Sequence, residues 1–117
     1  NSADPCAAIR KLGDSIYHVH AKDCKIDPIN TAVNGCNDWK SYSDEINRSW
    51  FFRTVGYGHD AQMWKDIVST LKLVGYDYVL SFEHEDSLMS VNEGFQKAVS
   101  FLKDVIITEK SGDMWWA

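Results

Sequence analysis

A chain of 117 residues, 44% hydrophobic and 13% aromatic, has the length and composition of one globular domain and excludes a disordered segment. A formal net charge of −5, with no run of Lys or Arg, argues against nucleic acid or an anionic membrane as the main partner. No apolar run approaches the ~20 residues of a membrane span, and no signal-peptide pattern opens the sequence. Three cysteines without C-x-x-C spacing read as buried or incidental thiols rather than as a disulfide framework or a Cys-based zinc site, so a reducing cytoplasm is expected.

In chain order, Asp4-Pro5 ahead of Ala7, Ala8, Ile9 and Leu12 predicts a short helix, with Asp4 as N-cap, Pro5 at its first position and Gly13 as its stop. Ile16–Ala21 reads as a strand. From Lys22 to Ser49 the sequence is polar, with Pro28, Gly35 and several Asn, and is expected to be one long irregular loop, usually a functional feature in a compact domain. Trp50–Arg53 reads as briefly extended and Gly56-Tyr57-Gly58 as a turn. Asp60 is expected to cap a helix with an apolar face of Trp64, Ile67, Val68, Leu71 and Val74, ending at Gly75. Tyr78–Phe82 reads as a second strand. Ser90-Val91-Asn92-Glu93 is a capping box opening a helix expected to bury Phe95, Ala98, Val99, Leu102 and Ile106. Met114-Trp115-Trp116 makes an apolar tail.

Strands alternating with helices predict parallel βα units, and sites in such folds form where the strands end. Both predicted strands turn polar there: IYHVHAKD at Ile16–Asp23 and LSFEHED at Leu80–Asp86. Alternation places Val79, Ser81 and Glu83 on one face and Ile16, His18 and His20 on the facing one, with Tyr17, Val19, Leu80 and Phe82 turned outward onto helices. A single strand histidine is more often a hydrogen-bonded core residue than a ligand, and Lys22 and Asp23 read equally as a surface pair or as substrate contacts. His84 points away from Glu83 and reads as structural, Glu85 returns to the inner face, and Asp86 is a loop residue. His59 and Asp60 read as helix-start residues.

Together, H-V-H-A-K-D, R-x-x-G-Y-G and G-Y-D-Y-V-L-S-F-E-H-E-D resemble the xylose isomerase-like TIM barrels, and most closely their sugar phosphate isomerase/epimerase branch, from about Asp4 onward. The resemblance implies an α/β fold: residues 1–117 as a single partial-barrel domain, the C-terminal part of a (β/α)8 TIM barrel, with Ile16–Ala21 and Tyr78–Phe82 as its seventh and eighth strands. It implies a divalent metal (Mn²⁺, Co²⁺, Zn²⁺ or Mg²⁺) on His20 and Glu83, with Glu83 also the catalytic acid/base in a metal-assisted proton transfer on a sugar or sugar phosphate. Arg53, Lys22, Gly56 and Gly58 become the substrate contacts, and His18, Asp23 and Glu85 the groups that orient them from behind. Trp115 and Trp116 are expected to seal a barrel face or a subunit contact. Two other expectations stand beside this one. The chain could be a catalytically inactive fragment that self-associates into a homo-oligomer through open sheet edges. It could instead belong to an endonuclease IV-like abasic-site nuclease, against which the lack of a D-x-H pair between His20 and Gly56 counts.

Overall fold

The computed structural model describes residues 3–117. Asp4 opens α1 (Pro5–Leu12) by accepting from the Cys6 N–H, and a 3₁₀ turn, Gly13–Ser15, follows at once. β1 (Val19–Ala21) and β4 (Leu80–Phe82) form a parallel pair, with His20 opposite Ser81 and Ala21 opposite Phe82. Both strands are shorter than expected, because only these residues pair. β2 (Asp23–Ile26) runs antiparallel to β3 (Trp50–Arg53), with Asp23 opposite Arg53.

These pairings overturn the expected TIM-barrel fold. A (β/α)8 barrel is one closed sheet of eight parallel strands, whereas the described residues form four strands in two separate two-stranded sheets, one of them antiparallel. The cause is local. Lys22 alone separates β1 from β2, so the backbone leaves the parallel pair immediately and turns its next hydrogen bonds to β3. The molecule is a small α/β unit with helices against one parallel pair, not a partial barrel.

The expected loop from Lys22 to Ser49 is also partly ordered. It holds β2 and α2 (Pro28–Asn34), whose N-cap Asp27 accepts from the Ile29 and Asn30 N–H groups. Asp27-Pro28 repeats the cap-and-proline signal of Asp4-Pro5. Asp60 caps α3 (Ala61–Leu73) through the Met63 N–H, and Ser90 caps α4 (Val91–Val105) through the Glu93 N–H. Glu93 does not complete the capping box; its carboxylate holds Lys97 at 2.9 Å, one turn along.

The core gathers Ala21, Val55, Trp64, Val68, Ala98, Leu102 and Val105, with Ile67, Leu80, Phe82 and Phe101 packed around it. Burial of each large side chain contributes about 1.5–3 kcal/mol. The buried stripe of α4 is Gly94, Ala98, Leu102 and Val105, so the expected burial of Phe95 and Val99 is corrected: both are exposed. Gly94 sets that rotation, because a side chain there would overlap the His84 ring. Tyr17, expected on the helix-covered face, is also exposed, as are Val79, Met114, Trp115 and Trp116. The Cα radius of gyration is 16.2 Å, against about 13 Å for a compact domain of this length. Among the described residues, no helix is long and apolar enough to cross a membrane.

Candidate functional site

Strand alternation puts His20 and Ser81 on the side of the parallel pair away from the core, and Ala21 and Phe82 on the core side. Continuing that alternation past β4 brings Glu83 beside His20, Nδ1 to Oε1 at 2.7 Å. An ionised carboxylate only accepts, so His20 Nδ1 carries the proton. Lys22 Nζ then bridges two carboxylates, Glu83 Oε2 at 3.2 Å and Glu85 Oε2 at 2.9 Å. His18 stands behind this row, with Nε2 at 2.8 Å from Ser81 Oγ and its ring centre 5.0 Å from that of His20. Hydrogen bonds from His20 first, and from Lys22 next, hold the Glu83 carboxyl below its ordinary value. The salt link to Glu85, opposed by burial and joined by Glu83, raises Lys22. Side chains of His20 and Glu83 remain 57% and 42% exposed, leaving room for a ligand.

Asp23, three residues beyond His20, sits in the opposite environment. The residue is 3% exposed. Its Oδ2 accepts from the N–H groups of Gly56 at 2.9 Å, Gly58 at 3.1 Å and His59 at 3.1 Å, and from Trp64 Nε1 at 3.3 Å. Its Oδ1 accepts from Cys24 N–H at 2.9 Å and His59 Nδ1 at 2.7 Å. Neither a surface pair with Lys22 nor an orienting group behind Glu83, Asp23 is the anchor of the turn before α3. The Gly56 and Gly58 amides expected at substrate are therefore turned inward, onto the protein's own carboxylate. Gly56 has φ +92°, and a Cβ on Gly58 would overlap the Cys24 carbonyl, so both positions require glycine. Burial, then the Asp23 charge, push the neighbouring Cys24 thiol up. Cys6, Cys24 and Cys36 are all free.

Arg53, expected at substrate, donates from Nε to Asp86 Oδ2 at 3.0 Å and is only 15% exposed. Asp86 also accepts from the Thr54 and Leu88 N–H groups. Its loop position was legible, its burial was not. Burial pushes the Asp86 carboxyl up, but the Thr54 amide, the Arg53 guanidinium and the Leu88 amide together outweigh it and hold the value low. His84 turns toward α4, with Nε2 at 3.3 Å from the Met89 carbonyl. A second braced segment went unread: Arg48 is 1% exposed, lies 4.4 Å from the Tyr42 ring and 4.5 Å from the Trp50 ring, and donates to the Trp50 and Lys40 carbonyls. A lone Arg in a polar stretch carries no signal of such burial.

Among the described residues, no group of three or more His, Cys, Asp or Glu side chains converges as a metal cage. His20 and Glu83 do converge, with donor atoms on neighbouring strand ends, and nitrogen and carboxylate suit a divalent ion. They fit two positions of such a centre, and the Lys22 ammonium already supplies positive charge beside Glu83.

No family model matches the chain. It is 43% identical over 104 residues to a Bacillus subtilis (strain 168) protein named "Uncharacterized protein YfiH", an alignment that takes in 89% of this chain and 33% of that protein. The chain thus spans about a third of the length of the curated relative it matches.

Proposed function

We propose that this chain supplies part of the active site of a metal-dependent sugar or sugar-phosphate isomerase or epimerase, with sequence outside it supplying the remaining metal donors. The observation that carries the reading is the 2.7 Å meeting of His20 and Glu83, 63 positions apart in sequence, at the polar ends of two parallel strands. The likeness of the three motifs to the sugar phosphate isomerase/epimerase family supports it. A divalent ion held by His20 and Glu83 supplies polarisation of a sugar's carbonyl and adjacent hydroxyl oxygens.

Glu83 does the proton work. As a carboxylate it is ionised at neutral pH, and its place beside His20 and Lys22 sets it to take a proton from the carbon next to the carbonyl. His20 and Lys22 fix one carboxylate oxygen each, which sets the direction of approach. Return of the proton to the neighbouring carbon, with the adjacent hydroxyl's proton passing to the original carbonyl oxygen, isomerises the sugar; return from a second acid to the opposite face of the same carbon epimerises it. The test is deuterium uptake from D₂O at that carbon of a ketohexose, read by mass spectrometry on the metal-loaded, full-length protein. Glu83→Gln is expected to lose about 10²-fold or more in exchange rate, and exchange at the native rate contradicts the assignment.

A second reading, a self-associating piece without catalysis, is favoured by the open edges of the parallel pair and by exposed Tyr78, Val79, Phe95 and Val99. Sedimentation over a hundredfold concentration range decides it: a monomer throughout removes it.

A further inference from the structure

We infer that the cleft around Trp39 is a carbohydrate-binding site, and that it takes the flat face of an uncharged pyranose ring. It shares no lining residue with the His20–Glu83–Lys22–Glu85 row, and the inference does not rest on the isomerase or epimerase reading.

The cleft, of about 450 Å³, is lined by Asn34 at the end of α2 and by Asn37, Asp38, Trp39, Lys40 and Ser41 in the segment that follows. That size lies within the range of small-ligand sites. Trp39 is 93% exposed, so both faces of its indole are open. The backbone that carries it is nevertheless pinned on either side. Asp38 Oδ1 accepts from the Lys40 N–H at 3.0 Å, an Asx turn with Trp39 at its middle. Asp38 Oδ2 accepts from the Ser49 N–H at 3.0 Å and from Ser49 Oγ at 3.3 Å, and the Asp38 carbonyl accepts from Trp50 Nε1 at 3.2 Å. On the other side, the Lys40 carbonyl accepts from the buried Arg48 guanidinium. Both neighbours of Trp39 are thus tied to Arg48–Trp50, and the indole is displayed on a fixed turn. A site so prepared loses little ordering entropy when a ligand arrives.

The groups beside the ring set the ligand class. A pyranose is apolar on its C–H face, which packs on an indole plane, and polar around its rim of hydroxyls. Asn34 and Asn37, both exposed, stand at the same cleft, and each side-chain amide offers two N–H donors and a carbonyl acceptor to neighbouring hydroxyls. Lys40 Nζ lies 3.0 Å from Asp38 Oδ2, so the lining's one cation and one anion neutralise each other and the cleft suits an uncharged ligand. A protein partner fits less well. The core of a protein interface is apolar, whereas every residue that lines this cleft besides Trp39 is polar or charged.

The test is an NMR titration of methyl β-D-glucopyranoside into the full-length protein and its Trp39→Ala, Trp39→Phe and Asn37→Ala variants. This glycoside is a closed ring without a free carbonyl and cannot isomerise, so its result is independent of the reading above. Saturable shifts are expected at the Trp39 indole N–H and at the Asn34 and Asn37 side-chain amides. Trp39→Ala is expected to weaken binding about tenfold or more, Trp39→Phe to keep part of the affinity, and Asn37→Ala to weaken it severalfold. Shifts that rise linearly without saturating, or native affinity in a folded Trp39→Ala variant, overturn the site. Should Trp39→Ala lose the native spectrum, Asn37→Ala decides, and native affinity there overturns it. Absence of glycoside binding, with a sedimentation coefficient that falls in Trp39→Ala, makes the ring a protein contact and overturns it as well.

Discussion

Asp23 and Glu83 are carboxylates at the ends of strands in the same small molecule, and they do opposite work. Asp23 is sealed, its two oxygens accepting from four backbone amides, an imidazole and an indole. Glu83 is 42% exposed and binds only the movable tips of His20 and Lys22. The difference teaches how to separate structure from chemistry in a motif such as H-A-K-D. A carboxylate whose lone pairs are saturated by backbone organises a turn; one held by side chains, with an open face, is available to a ligand.

Breaking the sealed side has the largest effect. Asp23→Ala leaves buried donors without an acceptor and is expected to cost about 3–5 kcal/mol, read as a large fall in the thermal midpoint of this chain. Retention of the native midpoint removes Asp23 as the anchor. Gly58→Ala forces a methyl against the Cys24 carbonyl and is expected to cost about 3 kcal/mol; an unperturbed urea midpoint refutes the close approach.

Asp86→Asn sharpens the comparison through pH. Asp86 has a folded pKa below its ordinary value, so its contribution is complete above the unfolded pKa and is lost as pH falls through the folded one. The variant is expected to be about 2 kcal/mol less stable near pH 7, with the gap closing below about pH 4. Urea midpoints at several pH values check this, and a gap independent of pH denies the charged pairing with Arg53.

Glu83→Gln has the smallest expected effect on folding. Exposed partners on flexible stems add little to stability, so the unfolding midpoint is expected to stay at the wild-type value while metal binding falls. A marked drop in the midpoint would place Glu83 with Asp23, as a structural group.

What was legible in the sequence were local signals. The caps at Asp4, Asp60 and Ser90 rest on contacts within three residues. The shared face of His20 and Glu83 follows from a period of two. What was not legible depended on distant partners. β2 exists because β3 pairs with it across an intervening helix and turn, and a polar sequence such as Asp23-Cys24-Lys25 carries little strand signal of its own. The buried face of α4 was misread because Phe95 outweighs Gly94 on any hydrophobic scale, yet the His84 ring needs the space that glycine leaves. The barrel expectation failed for the same reason: strand pairing, not strand identity, decides a sheet, and Lys22 gives the chain one residue in which to leave it.

The most direct test of the open side is a titration of Mn²⁺ into the full-length protein, followed by the loss of the free-ion electron paramagnetic resonance signal, for wild type and Glu83→Gln side by side. If His20 and Glu83 form part of a metal centre, the variant binds at least tenfold more weakly while its unfolding midpoint is unchanged. Equal affinity in the two proteins contradicts the assignment and leaves the His20–Glu83–Lys22–Glu85 row as a surface ion-pair chain.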